Sequence, residues 1–308
     1  MIRGWRQLVL HMLYVVCTAS AVGFICRDSW TVQNSPLIFF AHCFALGLLA
    51  PIFAIDVLQG DGHFALIKAE LIAGGNVFAF GLAHIISEFI RGLLLSLAYV
   101  IVYMHLVAPA AGWTPSYGTL FGVFFFNSAV GTILAVLLPK PSALHWALGL
   151  SVGFGGYFGA AYAVVPDLPS WQYVFGFLSY ARWGVAALYD AEVQSLISFM
   201  DYPADPGGNG DLNAIYSTVN VSQGNYNDAL IFLYVGGLVL RILTTLALFA
   251  QTAVFGRTPA RHPEQGWDSE SLVKYCWPSA RLWSSADAIV VPSGPAMYPN
   301  TPRPPAVH

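Results

Sequence analysis

The sequence predicts an all-α membrane protein with six transmembrane helices and a re-entrant element before the last span. Its composition is the first reason: 56% of the 308 residues are hydrophobic and 9% are charged, whereas soluble domains are about 25% charged. The second reason is charge spacing, because residues 29–55, 92–139 and 141–166 contain no Asp, Glu, Lys or Arg. Uncharged blocks of this length fit a bilayer interior. The net charge of -3, with dispersed basic residues, offers no basic stripe for nucleic acid.

The six spans follow from the lengths of the apolar runs. A transmembrane helix needs about 20 apolar residues, because each adds about 1.5 Å across a hydrocarbon core about 30 Å thick. A seventh run, 170–181, is too short to cross and is predicted to be re-entrant or interfacial. The first run follows Arg3 and Arg6, as in a signal peptide, but its length favours a retained helix. The predicted spans are 8–26, 36–55, 85–107, 117–138, 142–165 and 229–253.

The basic residues predict the orientation of these spans. Nine Lys and Arg residues fall on the side of the N-terminus, against two, Arg27 and Arg182, on the other side. This bias predicts that both termini are cytosolic. The outer loop before the last span then carries a glycosylation sequon at Asn220. Residues 1–256 are predicted to form the membrane domain, and residues 257–308, which hold nine of the 19 prolines, a disordered cytoplasmic tail.

Motifs for catalysis or cofactor binding are absent from the sequence, so no catalytic, cofactor-binding or metal-ligating residue is predicted. The chain contains neither a Walker A loop nor an H-E-x-x-H motif. Ser151 lies in a G-x-S-x-G match between Gly149 and Gly153, but the strand-turn-helix context of a serine hydrolase is missing. The four-residue spacing of these glycines favours close helix packing. An intramembrane enzyme therefore remains only a distant alternative.

Charged residues inside the predicted spans are the stronger functional candidates, because a charge in hydrocarbon is costly. Arg241 lies 13 residues from Asp228 and 16 from Arg257, so it cannot easily reach either interface. A structural role and a role in transport coupling are both open for it. Glu88 and Arg91, three residues apart, are predicted to form a structural salt bridge. Hydrogen bonds between helices are predicted for other polar residues of the spans: His42, His84, His105 and Asn127.

The loop between the second and third spans is predicted to contain a short amphipathic helix. Phe64, Ile67 and Leu71 recur there at helical intervals. Such a helix would lie parallel to the membrane on its cytoplasmic side. It would either dock a cytosolic partner or rest at the interface.

Three stretches of the chain resemble the membrane domain of ABCG-subfamily (white/brown-complex) transporters. Residues 65–74 resemble the E-x-x-x-G element before the third span, with Glu70 and Gly74 as its Glu and Gly. Residues 127–143 are similar to the fourth-span exit and short inner loop of the long plant-type members, and 179–188 to their S-x-x-R-W-x-x-E-A element. The order and spacing of these stretches on six spans resemble one ABC-2 type transmembrane domain.

This resemblance implies export of lipid-like or other hydrophobic compounds, with plasma membrane favoured over an organelle. ATP and Mg²⁺ would bind a nucleotide-binding domain or subunit that is not in this chain. Glu70 and Gly74 would couple to that partner, and two membrane domains, alike or different, would form a dimer. Substrate would contact aromatic residues of the second and fifth spans, each pair sharing a helix face: Phe40, Phe44, Phe154 and Phe158.

The chain also departs from the subfamily pattern. Ala186 stands where the S-x-x-R-W-x-x-E-A element has Glu, and the outer loop has no cysteine for a disulfide. Two classes of function are therefore open. The first is the membrane part of an ABC exporter, and the second is an assembly or regulatory subunit of a membrane complex without a transport cycle of its own.

Overall fold

The structure, a computed structural model, describes residues 2–27, 35–60, 63–159, 170–199 and 225–255. Within these ranges every regular element is a helix and none is a strand. The helices are α1 (Ile2–Cys26), α2 (Ser35–Gln59), α3 (His63–Ile72), α4 (Val77–Leu106), α5 (Trp113–Leu137), α6 (Lys140–Leu150), α7 (Ser170–Phe177), α8 (Tyr180–Phe199) and α9 (Asn225–Phe255). A π-helix (Ser151–Tyr157) continues α6.

Five helices are long and apolar enough to cross a membrane. They overlap the predicted first, second, third, fourth and sixth spans, which confirms a multi-pass helical membrane protein. Helix α4 begins at Val77, eight residues before the predicted start of the third span. The predicted fifth span is covered by α6 and the π-helix as far as residue 159, beyond which it lies outside the described residues. Asn220 and the predicted tail, 257–308, also lie outside them. The five candidate spans are Trp5–Cys26, Ser35–Gln59, Val77–Leu106, Trp113–Leu137 and Tyr226–Ala253.

Local sequence explains several helix ends. The Asn76 side chain caps α4 by accepting hydrogen bonds from the backbone N–H groups of Phe78 (3.0 Å) and Ala79 (3.1 Å). Gly74 adopts a φ of 105° in the turn between α3 and α4, a conformation that glycine enters without steric cost. Pro141 lies in the first turn of α6, where its fixed φ suits a helix and its missing N–H costs no hydrogen bond.

Helices α2 and α5 form the centre of the bundle. Of their most apolar windows, 61% and 72% of residues are buried inside the protein, against 22% to 33% for α1, α4 and α9. The difference means that α2 and α5 are surrounded by protein while the other three spans present one side to lipid. The centre is tight, since the Cα of Gly131 on α5 lies directly against the backbone of Pro51 on α2.

Hydrogen bonds tie the helix ends together at two opposite ends of the bundle. At the first, which we term the Lys140 end, Gln59 donates to the carbonyls of Ala135 and Leu138, the latter at 2.7 Å, and Gln251 donates to Val136 at 3.0 Å. These bonds join the final turns of α2, α5 and α9. These three helices therefore run in the same direction, as expected for the predicted second, fourth and sixth spans.

At the second, the Glu192 end, the carboxylate of Glu192 on α8 accepts from the backbone N–H groups of Ala110 (2.8 Å) and Ala111 (2.7 Å). Asp190 accepts from the N–H of Tyr226 at the start of α9 (3.2 Å). Burial raises the pKa of the Glu192 carboxyl, and the two amide hydrogen bonds act in the opposite direction. Helix α8 therefore fastens the loop before α5 and the first turn of α9.

Candidate functional site

Four ionisable side chains form a continuous polar network that begins at the Lys140 end. Lys140 Nζ of α6 lies 2.8 Å from Asp56 Oδ1 of α2. Asp56 Oδ2 lies 3.4 Å from His11 Nε2 of α1, and His11 Nδ1 lies 2.8 Å from Arg91 Nη2 of α4. The network joins four helices, and it leads from a half-exposed lysine to a buried histidine.

The geometry assigns the tautomer of His11. A guanidinium can only donate, so Arg91 must donate to Nδ1 and the ring proton resides on Nε2, facing Asp56. The ring also stacks on Phe53 with centroids 4.1 Å apart. The neutral His11 ring therefore links the carboxylate of Asp56 to the guanidinium of Arg91. A proton on Nδ1 would place two N–H donors against each other and break the bond to Arg91.

Glu88 and Arg91, both in the part of α4 that the structure describes, do not form the predicted salt bridge, since the guanidinium of Arg91 binds His11 instead. Arg91 reaches across to α1 instead, because His11 offers it an acceptor there. The charge of buried Glu88 still acts on Arg91, Arg241 and His84. Glu88 is thus shared among several groups rather than paired with one.

Arg241 is 2% exposed and lies between α9 and α5. Its Nη1 donates to the carbonyl of Phe125 at 2.7 Å, and its Nη2 donates to Ser128 Oγ at 2.7 Å. The guanidinium carbon lies 3.8 Å from the centroid of the Phe125 ring, within the range of a cation–π interaction. The side chain that the sequence placed in mid-membrane therefore binds the adjacent helix through directed contacts.

The other predicted polar residues differ in what they bind. His42 fulfils the prediction of an interhelical bond, with Nδ1 2.9 Å from the Tyr99 hydroxyl. His105 and Asn127 instead bond to carbonyls one turn earlier on their own helices. In these two cases the nearest acceptor is the helix backbone, a competition that polar residues in helices commonly face.

The predicted substrate-contacting rings gather on one side of the molecule. Phe40 and Phe44 stack with centroids 5.8 Å apart, Phe154 and Phe158 lie 5.8 Å apart with their planes tilted by 41°, and Phe175 of α7 stacks on Phe158 at 5.4 Å. We term these five rings the aromatic surface. Its four predicted members are half-buried, and Phe175 is exposed.

Glycines allow the two halves of the aromatic surface to meet. A Cβ on Gly156 would lie 3.2 Å from the Phe44 ring, and one on Gly159 would lie 3.2 Å from the Phe40 ring. Gly155 is equally crowded by Tyr180, which also contacts Gly47. The rings of α2 therefore rest on the glycine side of the helix that carries Phe154 and Phe158.

The glycines of the Ser151 motif behave differently from the predicted packing. Among the residues that the structure describes, none comes within 4 Å of a Cβ built at Gly149 or Gly153, whereas Gly155 and Gly159 are closely packed. Ser151 is buried in the π-helix, and the imidazole of His145 bonds to the Pro141 carbonyl of its own helix. This helical setting gives no support to a serine hydrolase.

The amphipathic character predicted for α3 is confirmed. Phe64 and Leu71 belong to the same buried cluster as Leu58 and Leu248, close to the Lys140 end. Glu70 is exposed, and Gly74 forms the turn that leads into α4. The helix thus packs by its apolar side and presents its acid outward.

Several residues of these sites carried no recognisable signal in the sequence. His11, Asp56 and Lys140 are single polar residues on three different helices, and only the fold brings them together. Phe175 belongs to the short apolar run at 170–181, whose aromatic content was the one available hint. Phe39, one residue from Phe40, is completely buried in the core, as its position on the other helix face predicts.

In the part of the chain that the structure describes, no three His, Cys, Asp or Glu side chains are placed to share a metal ion. No protein-family model matches the chain, and no curated protein matches it. The fold and the intramembrane sites themselves define its class. It is a multi-pass, all-helical integral membrane protein.

Proposed function

We propose that this chain is the membrane-spanning part of an ABC-type transporter, exporting lipid-like or other hydrophobic compounds with ATP hydrolysed by a nucleotide-binding partner. The aromatic surface is the observation that carries the proposal. Its rings come from three helical elements and stay partly exposed. Broad apolar ring faces contact varied hydrophobic molecules without a fixed hydrogen-bond pattern. The resemblance to ABCG-subfamily membrane domains supports the same assignment, and a plasma-membrane location goes with it.

A sixth crossing is part of this proposal. Helix α6 begins at the Lys140 end, and helical structure continues through the π-helix to residue 159. Twenty helical residues extend roughly 30 Å, about the thickness of the hydrocarbon core. Near its far end Gly155 contacts Tyr180, at the start of the helix that carries Glu192. The segment therefore has the length and direction of a span, and α7 would be the re-entrant element that follows it.

A dimer also belongs to the proposal. Phe154 and Phe158 lie on the same helical segment as Gly149 and Gly153. Both rings stay partly exposed, and no described residue comes within 4 Å of a Cβ built on either glycine. A second membrane domain, identical or different, would enclose the aromatic surface and make a pathway between subunits.

The aromatic surface leads to a first prediction. Phe158→Ala is expected to raise the substrate concentration for half-maximal stimulation of ATPase activity about threefold to tenfold, because one aromatic contact is lost. Phe24→Ala, which removes an exposed ring from α1, is the matched control. Equal responses of the two variants would show that Phe158 has no special contact with substrate.

The exposed acid of α3 leads to a second prediction. Glu70→Ala is expected to reduce partner-coupled ATPase stimulation at least fivefold, the range of a coupling free energy above about 1 kcal/mol, while membrane insertion is unchanged. His145→Ala, another exposed side chain near the Lys140 end, should retain full stimulation. Wild-type stimulation in the assembled Glu70→Ala complex would rule out the coupling role.

The proposed function as a whole is tested by purification from native membranes. An ATPase subunit should co-purify with the chain, and apolar compounds should stimulate ATP hydrolysis by the reconstituted complex. Recovery of the chain in a complex that has no ATPase activity would overturn the proposal. It would favour the second candidate, a non-transporting assembly or regulatory subunit. The observation that favours this candidate is the direct bracing of the helices by Arg241 and the polar network.

A further inference from the structure

A small cavity lies between α2, α4, α5 and α9, next to Arg241. Its volume is about 10 Å³, close to the least space that a single water molecule needs. The walls are mostly apolar, but five polar or charged side chains reach them: His84, Thr132, Arg241, Thr244 and Thr245. A cavity of this size lined only by hydrocarbon would be dry, so the polar groups decide its character.

The three threonines present acceptors to the cavity. Each hydroxyl donates to the carbonyl four residues earlier on its own helix, at 2.8 Å for Thr132 and Thr244 and 3.1 Å for Thr245. A hydroxyl that donates its one proton still has lone pairs to offer. The hydroxyl oxygens of these three cavity-lining residues on α5 and α9 therefore each keep the capacity to accept a hydrogen bond.

His84 supplies the complementary group. Its Nε2 atom is buried and has no hydrogen-bond partner among the residues that the structure describes. The ring is held in place by stacking on Phe80, with centroids 6.1 Å apart. A buried ring nitrogen without a partner is rare, because burial removes its hydrogen bonds to bulk water and nothing takes their place. An ordered water molecule commonly makes the missing hydrogen bond. Unlike the threonines, which lie on α5 and α9, His84 lies on α4.

We propose that one water molecule binds in this cavity and links His84 Nε2 on α4 to threonine hydroxyls on α5 and α9. Two to four polar partners and space for one probe are the requirements for a buried water, and the cavity meets both. The link is exchangeable, because a water can change partners when helices shift. A direct side-chain bond, like that from Arg241 to Ser128, must break instead. The water would thus form an exchangeable link between α4 and α9, and this role does not depend on any transported compound.

Radiolytic hydroxyl labelling of the intact protein in nanodiscs tests the site directly, because buried side chains react only where water is bound beside them. His84 should be labelled several times faster than Phe126, each rate being taken relative to that of the denatured chain. Phe126 is half-buried like His84 and does not line the cavity, so it reports the labelling of a partly exposed ring without bound water. Equal normalised rates would show that the cavity is dry and would overturn the proposal.

A double-mutant cycle tests the link between helices. Thr244→Val keeps the shape of the side chain and should lower the ratio of folded to unfolded protein about fivefold, because the water loses an acceptor. In a His84→Leu background the same change should lower it less than twofold, since no bound water remains to be disturbed. Thr252→Val, whose hydroxyl bonds to the Phe249 carbonyl away from the cavity, controls for loss of a helical hydroxyl. Equal losses in both backgrounds, or none in either, would refute the link.

Discussion

Replacing Arg241 with methionine is expected to lower the free energy of unfolding by about 3 kcal/mol, although methionine is apolar and fits a membrane interior. The guanidinium is completely enclosed, and its loss removes the bonds to Phe125 and Ser128 that join α9 to α5. It also removes one of the cations that interact with buried Glu88. Leaving a buried charge without compensation costs more than the pair contributes, because the remaining charge cannot be hydrated.

The measurement is thermal or denaturant unfolding of the purified protein in one detergent. Leu243→Met, on the lipid-exposed side of the same helix, should change stability by less than about 0.5 kcal/mol. Adding Glu88→Gln to Arg241→Met should recover part of the loss, because the uncompensated charge is then gone. Strict additivity of the two changes would show that Glu88 and Arg241 do not interact.

Arg241 illustrates what the sequence could and could not predict. Its position in mid-helix followed from counting residues to the nearest interface. Its partners could not be predicted, because Phe125 and Ser128 lie more than 110 residues earlier in the chain. The accepting groups, a backbone carbonyl and a serine hydroxyl, also occur throughout the sequence. The same holds for the polar network, where a histidine, an aspartate and a lysine on separate helices carry no common pattern.

The spans were more predictable than their contacts, for a physical reason. A bilayer imposes a minimum length of apolar helix, and that length can be read from each segment without knowing which other helices it contacts. Helical spacing also predicted correctly that Phe40 and Phe44 share a face. The π-helix was not predicted, because its sequence, SVGFGGY, has no alternation of polar and apolar residues from which a change of helical period could be read.

The glycines show the same limit, since a four-residue spacing does not reveal which glycines touch a neighbour. Gly131, which belongs to no such pair, is pressed against the Pro51 backbone, whereas Gly149 and Gly153 face open space. Close approach of two helices depends on which faces meet, and that is settled by the whole bundle. Substitution by alanine separates the two situations.

Gly131→Ala is expected to destabilise the protein by about 3 kcal/mol, or to prevent folding. The added Cβ would lie 2.5 Å from both Cα and the carbonyl oxygen of Pro51. Backbone atoms cannot rotate away as a side chain can, so α2 and α5 would have to separate. These two helices are the most buried spans, and a displacement at their contact would loosen the packing around them.

Gly149→Ala is the matched control, and its effect should have the opposite sign. Nothing lies within 4 Å of a Cβ at that position, and alanine favours a helix over glycine by about 1 kcal/mol. Unfolding of both variants in the same detergent gives the comparison, with α-helical circular dichroism as the signal. Equal stability of the two would mean that α2 and α5 are farther apart at Gly131 than the structure places them. A stabilised Gly149→Ala beside a failing Gly131→Ala would show that the backbones of α2 and α5 meet at Pro51 and Gly131.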